Sequence, residues 1–108
     1  MLVFPNAKIN LGLNVVAKRA DGYHNIETVF YPIRWCDVLE IVPGEKKINR
    51  KTDVRFATTG IKIMGSKQKN LCIAAYNLLK TKHNLPPIEI HLHKSVPIGA
   101  GLGGGSSD

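Results

Sequence analysis

The chain has 108 residues, a length suited to one domain rather than two. Its hydrophobic content of 44% allows a core, yet no stretch approaches the ~20 consecutive apolar residues that a membrane span needs. Lys and Arg total 15 against 8 Asp and Glu, and the resulting charge of +7 favours anionic partners: nucleotides, phosphorylated metabolites, nucleic acid or an acidic membrane surface.

The N-terminus, MLVFPNAKINLG, has neither the charged start nor the long apolar run of a secretory signal. Cys36 and Cys72 stand outside any CxxC or Cys/His spacing and read as reduced thiols. A cytoplasmic protein is the expectation.

Ile9, Leu11, Leu13 and Val15 alternate with Lys8, Asn10, Gly12 and Asn14, which predicts a half-buried strand with Lys8, Asn10 and Asn14 on its polar face. Arg19 to Tyr23 supplies turn chemistry, with Asp21-Gly22 at a hairpin tip. A second strand, antiparallel to the first, is expected from about His24 to Ile33, and a third from Asp37 to Val42, ending at Pro43-Gly44. Phe30, Tyr31 and Trp35 are expected in the core. The polar, basic segment 45–69 carries weak strand character at Val54–Ala57 and Ile61–Met64. Leu71, Ala74, Ala75, Leu78 and Leu79 then recur at helical spacing between Asn70, a reasonable N-cap, and Lys82. Pro86-Pro87 ends that unit, and Ile88, Ile90 and Leu92 alternate with Glu89, His91 and His93 in a strand with one wet face. No internal repeat is present.

The most informative stretch is Pro97-Ile-Gly-Ala-Gly-Leu-Gly-Gly-Gly-Ser-Ser107. Its glycines (Gly99, Gly101, Gly103, Gly104 and Gly105) let the backbone adopt positive φ and approach a ligand closely. Inward-pointing amides followed by a helix start, with Ser106 and Ser107 adding hydroxyl donors, form an anion site. Phosphate is the natural ligand. Gly99-x-Gly101-x-x-Gly104 also satisfies the dinucleotide pattern GxGxxG, but that pattern belongs to the first turn of a parallel unit, and antiparallel strands are expected before it here. Ser follows the glycines where a P-loop carries Lys.

The stretch PxGxGLGGGSSD is similar to the second motif of the GHMP kinases, whose glycine-rich loop wraps the triphosphate of ATP. Ala7-Lys-Ile-Asn-Leu-Gly-Leu-Asn14, Lys18-Arg-Ala-Asp-Gly-Tyr-His24 and Glu27-Thr-Val-Phe30 resemble the branch of that superfamily that phosphorylates the 2-hydroxyl of a diphosphocytidyl-methylerythritol in non-mevalonate isoprenoid synthesis. The resemblance implies an α+β fold, the GHMP-kinase N-terminal domain related to a ribosomal-protein domain. Residues 1–108 would form a partial, ATP-binding N-terminal domain that stops at its glycine loop, without the C-terminal domain or the general base. It further implies Lys8 as the catalytic lysine beside the reacting hydroxyl. Asn10, Tyr23 and His24 would be substrate-binding, the last two at the cytidine. Asn70, Leu71 and Lys94 would line the adenine side of the ATP pocket, and Pro97 with the glycines, Ser106 and Ser107 would hold the phosphates. ATP and Mg²⁺ are the expected cofactors.

His91 and His93 lack a third ligand and read as a wet strand face, so no protein metal site is expected. The basic surplus at Arg19, Lys46, Lys47, Arg50, Lys51, Arg55 and Lys62 reads as solvated loops. The alternatives are another GHMP small-molecule kinase, a basic nucleic-acid-binding module, disfavoured by an aromatic content of 6%, and a dinucleotide-dependent oxidoreductase. The chain alone is expected to be inactive and to self-associate through uncovered apolar surface.

Overall fold

The computed structural model describes residues 1–45, 53–64 and 70–108. Lys46, Lys47, Arg50 and Lys51, part of the basic surplus, lie outside the described residues. In chain order the elements are β1 (Leu2–Val3), β2 (Asn6–Lys18), β3 (His24–Cys36), β4 (Val38–Pro43), β5 (Val54–Gly60), α1 (Leu71–Lys80), β6 (Ile88–Lys94) and α2 (Gly104–Ser107).

Two sheets result. β2 and β3 form an antiparallel hairpin, and β1, β4, β6 and β5 form a second sheet in that order. β4 and β6 are antiparallel, whereas β5 and β6 are parallel. Parallel neighbours need a long crossover, and α1 supplies it. The expectation that only antiparallel strands precede the glycines is therefore corrected.

The hairpin follows the sequence closely at its turn. Asp21 accepts from the amide of Tyr23 at 3.1 Å, Gly22 adopts φ 88°, and the Arg19 amide donates to the Tyr23 carbonyl at 2.7 Å. This is the Asx-type turn that Asp-Gly favours. β3 runs on to Cys36, and the pairing slips at three places along the ladder.

The core sits in the other sheet. Leu39, Cys72, Ile90 and Leu92 are buried together, with Val3, Ile41, Val54, Phe56, Ile63 and Ile88 packed around them. Each fully buried aliphatic side chain of this kind stabilises by about 2 kcal/mol. The alternation in β6 is as expected, with Ile90 and Leu92 buried and His93 exposed. His91 and His93 both face Thr59, whose hydroxyl lies 3.1 and 2.9 Å from their rings. Among the described residues no three metal-ligating side chains cluster.

Two core assignments are corrected. Leu11, Leu13 and Val15 are exposed, because the loop and α2 cover β2 only at its start and no layer among the described residues covers the rest of the hairpin. Phe30, Tyr31 and Trp35 are exposed on the partner strand for the same reason. In α1 the buried residues are Cys72 and Tyr76, four apart on one stripe, while Leu71, Leu78 and Leu79 are exposed. Tyr76 is held by its hydroxyl, which donates to the Pro86 carbonyl at 2.8 Å. The segment Ile61–Met64 is not a strand, since the chain turns at Gly60 (φ 78°). A Cβ at Gly60 would lie 2.2 Å from the Lys94 carbonyl, so a glycine is required there. No helix of the described residues is long and apolar enough to cross a membrane.

Candidate functional site

β6 ends at Lys94, and the chain then runs through the glycine loop into α2. Gly99, Gly101 and Gly103 all have positive φ, between 73° and 76°. Gly103 is the N-cap of α2, a position normally filled by Ser, Thr, Asp or Asn, and no side chain caps the helix. The first-turn amides of a helix have no intrahelical partner, which leaves that of the half-buried Gly105 to meet an anion. Ser107 is turned back, its hydroxyl donating to the Gly103 carbonyl at 3.1 Å, and Ser106 is exposed. A Cβ added at Gly101 or Gly105 would meet nothing within 4 Å, which leaves open space over the loop.

Lys8 is brought to this loop by the backbone. Its amide donates to the Leu102 carbonyl at 2.9 Å, joining β2 to the loop across 94 residues of chain. Its ammonium donates to the Gly101 carbonyl at 2.7 Å and to Asn10 Oδ1 at 2.6 Å, and lies 5.2 Å above the ring of Phe30. An ammonium has three donors, so one remains for a ligand. A Cβ at Gly103 would press on the Lys8 stem at 3.2 Å, which shows how closely loop and lysine fit.

The expected site residues are only partly assembled. Lys8, Asn10 and the loop converge. Tyr23 and His24 sit at the exposed hairpin tip, and His24 is paired opposite Lys18. Ten residues of strand separate Lys18 from Lys8, up to about 33 Å if fully extended. Two of the slips in pairing, between Leu11 and Asn14 and between Val15 and Ala17, bend and shorten that path. Asn70 is the N-cap of α1, its side chain accepting from the Cys72 amide at 2.9 Å, and Leu71 is exposed beside it.

Lys94 lies elsewhere than the resemblance suggests. Its side chain is fully buried, ion-paired with Asp37 and, at 2.8 Å, with Asp108. The other oxygen of Asp37 accepts from the amides of Ser95 and Val96 at 2.6 and 2.8 Å. Asp37 thus fixes the chain where it leaves β6, and Lys94 reaches across to the residue that ends α2. Both ends of the glycine loop are held by one buried cluster. Gly104 packs into it, since a Cβ there would meet Val96 Cγ1 at 2.8 Å and Lys94 Nζ at 3.1 Å.

Burial pushes the Asp37 carboxyl up, but Lys94 and the two amides more than offset this and hold it below the ordinary range. Burial also pushes Asp108 up; Lys94 opposes and the neighbouring Asp37 reinforces the shift, which leaves it raised. Lys94 is lowered by burial and raised more by its two carboxylates. Sequence reasoning placed Asp37 at a strand start and missed this role. The available signal was an acid embedded in an apolar run, between Trp35-Cys36 and Val38-Leu39.

Residues 70–108, which hold the crossover helix, β6 and the glycine loop, match the family model described as the GHMP kinases N terminal domain. Similarity narrows this further. Over all 108 residues the chain is 58% identical to the 4-diphosphocytidyl-2-C-methyl-D-erythritol kinases of Cytophaga hutchinsonii and Parabacteroides distasonis. The match covers 37% of each relative, so the chain spans little more than a third of their length. A crystal structure of 4-(cytidine 5'-diphospho)-2C-methyl-D-erythritol kinase matches 99% of the chain and 36% of its own, with a TM-score of 0.76 and 35% identity.

Proposed function

We propose that residues 1–108 form the ATP-binding part of an enzyme that transfers the γ-phosphoryl group of ATP to the 2-hydroxyl of 4-diphosphocytidyl-2-C-methyl-D-erythritol. One observation carries the reading: Lys8 is tied to the glycine loop by its amide and by its ammonium, at Leu102 and Gly101. A cation is thereby set beside an anion-binding backbone, the arrangement that phosphoryl transfer needs at its charged transition state. The names of the relatives supply the acceptor.

In this reading the loop from Pro97 to Ser107 grips the ATP phosphates with backbone amides, and the free donor of Lys8 stabilises charge on the acceptor oxygen and the departing phosphoryl group. Asn10 orients the acceptor hydroxyl. Tyr23 and His24 meet the cytidine by stacking and hydrogen bonding, and Asn70 and Leu71 flank the adenine. Lys94 contributes by holding the loop rather than by touching ATP, because its amine is enclosed by Asp37 and Asp108. Asp108 is engaged with Lys94 and is not given the role of general base. Mg²⁺ fits a site of hydroxyl and phosphate oxygens better than a protein cage, since it keeps waters and few protein ligands, and Ser106 would hold it while it neutralises phosphate charge. A cytoplasmic location and self-association through the uncovered hairpin belong to the same proposal.

A basic nucleic-acid-binding module is the second reading. The exposure of Phe30, Tyr31 and Tyr23 removes the argument that aromatics are confined to the core. Similarity to kinases over the whole chain outweighs it. The test is Lys8→Met in the kinase at the length of its relatives. We expect kcat to fall about 10²–10³-fold with KM for ATP little changed. Full activity in that variant, or salt-sensitive oligonucleotide binding without phosphoryl transfer, would overturn the reading.

A further inference from the structure

Lys8 depends on a chain of hydrogen bonds whose direction is forced at every step. Leu11 pairs with Val29 and Asn14 with Glu27, so Gly12 and Leu13 together face the single residue Thr28. This is a β-bulge, and Gly12 takes φ 70° within it. The bulge turns the Gly12 carbonyl toward Thr28, whose hydroxyl donates to it at 2.5 Å. A hydroxyl has one proton, so the Thr28 oxygen can then only accept. It accepts from Asn10 Nδ2 at 3.0 Å. The Asn10 amide is thereby oriented with Oδ1 toward Lys8, whose ammonium donates to it at 2.6 Å. A flipped amide would set donor against donor at Lys8 and acceptor against acceptor at Thr28.

We propose that Thr28 is a positioning residue: its hydroxyl, anchored on the bulge carbonyl of Gly12, fixes the Asn10 amide and through it the direction in which Lys8 presents its remaining donor. The inference rests on the role given to Lys8 above and extends it to a residue that touches neither phosphate nor acceptor. With Gly101 and Asn10 each taking one ammonium donor, the third has a defined direction only while both acceptors are fixed. Gly101 is fixed by the loop. Asn10 is fixed by Thr28.

The test pairs Thr28→Val, which keeps the shape and removes the hydroxyl, with Thr28→Ser, which keeps the hydroxyl. In the ¹⁵N-labelled 108-residue chain, Thr28→Val shifts the Asn10 side-chain amide resonances and speeds their exchange, while Thr28→Ser leaves them near the original positions. In the kinase at the length of its relatives, Thr28→Val lowers kcat about tenfold, the loss of one aligned hydrogen bond, with KM for the acceptor changed less than threefold. Thr28→Ser restores most of kcat. Should the valine variant lose its folded circular dichroism signal, Thr28→Ala is the second hydroxyl-free variant and carries the same expectations. Asn10 resonances unmoved in both hydroxyl-free variants, or a serine variant as impaired as they are, overturn the proposal. Phosphoryl transfer absent from the unsubstituted kinase, with the Asn10 resonances moving as stated, overturns the kinase reading and upholds the network.

Discussion

Replacing Asp37 by Asn preserves its shape, removes its charge and exchanges the oxygen that accepts from Lys94 for an NH2 that cannot, so it tests the charge and the Lys94 bond together. Asp37 makes three hydrogen bonds, to Lys94 Nζ and to the amides of Ser95 and Val96. The two amide bonds, made neutral, lose roughly 1 kcal/mol each, and the lost charged bond to Lys94 costs about 2 kcal/mol, so the substitution costs about 4 kcal/mol gross. Part returns, because Asp108 no longer faces a second carboxylate and pairs fully with Lys94. A net loss of about 2 kcal/mol is expected, a large share of the roughly 5–15 kcal/mol that holds a domain of this size together. With a urea slope near 1.5 kcal/mol/M, the midpoint falls by about 1.3 M. Asp21→Asn, which breaks the exposed pair with Arg19, is the control and moves the midpoint by less than about 0.5 M. A midpoint shift for Asp37→Asn no larger than the control's would refute the claim that Asp37 anchors the loop.

The same cluster sets opposite pH dependences. Asp37 is lowered, so its contribution is present above the ordinary Asp value near 3.9 and is lost as pH falls through its folded value. Asp108 is raised, so stability declines as pH rises from that ordinary value toward its folded one; urea midpoints against pH show this decline flattened in Asp108→Asn. Gly103→Ala forces a side chain into φ 73° and against Lys8, costs about 1–2 kcal/mol by urea melt, and weakens Mg·ATP binding about tenfold by calorimetry. Gly60→Ala places its methyl on the Lys94 carbonyl, and a stability loss above about 3 kcal/mol is expected in the same melt, since the obstacle is backbone.

The sequence was most informative where local chemistry decides the structure. The Asp21-Gly22 turn, the Asn70 cap and the alternation in β6 rest on neighbours a few residues apart, and each stands where its pattern placed it. Burial was misread wherever it depended on what lies above a surface. Leu11, Leu13 and Val15 carry a faultless period of two, yet a hairpin buries a face only if another layer covers it. In α1 the helical spacing of Leu71 and Leu78 places the helix but not its buried stripe, which is Cys72 and Tyr76. The parallel pairing of β5 with β6 was hidden because a crossover leaves no mark on either strand.

The glycine loop and Lys8 were legible as candidates because their motifs are local, and the structure sets them side by side. Asp37 and Thr28 were not, since each acts on partners distant in sequence: Asp37 on Lys94, and Thr28 on Asn10. Lys94 shows the converse error. Its motif position implied a ligand contact, and only the fold shows an amine closed off by two carboxylates. A lysine and an aspartate 57 residues apart give no pairing signal in a single sequence.

The central claim is that Lys8 and the glycine loop form one phosphate site. Titration of the ¹⁵N-labelled 108-residue chain with Mg·ATP tests it most directly. The account predicts chemical-shift changes concentrated at residues 99–107 and at Lys8, with the far tip at Tyr23 and His24 unmoved. Changes centred on the basic hairpin surface with the loop silent would contradict it.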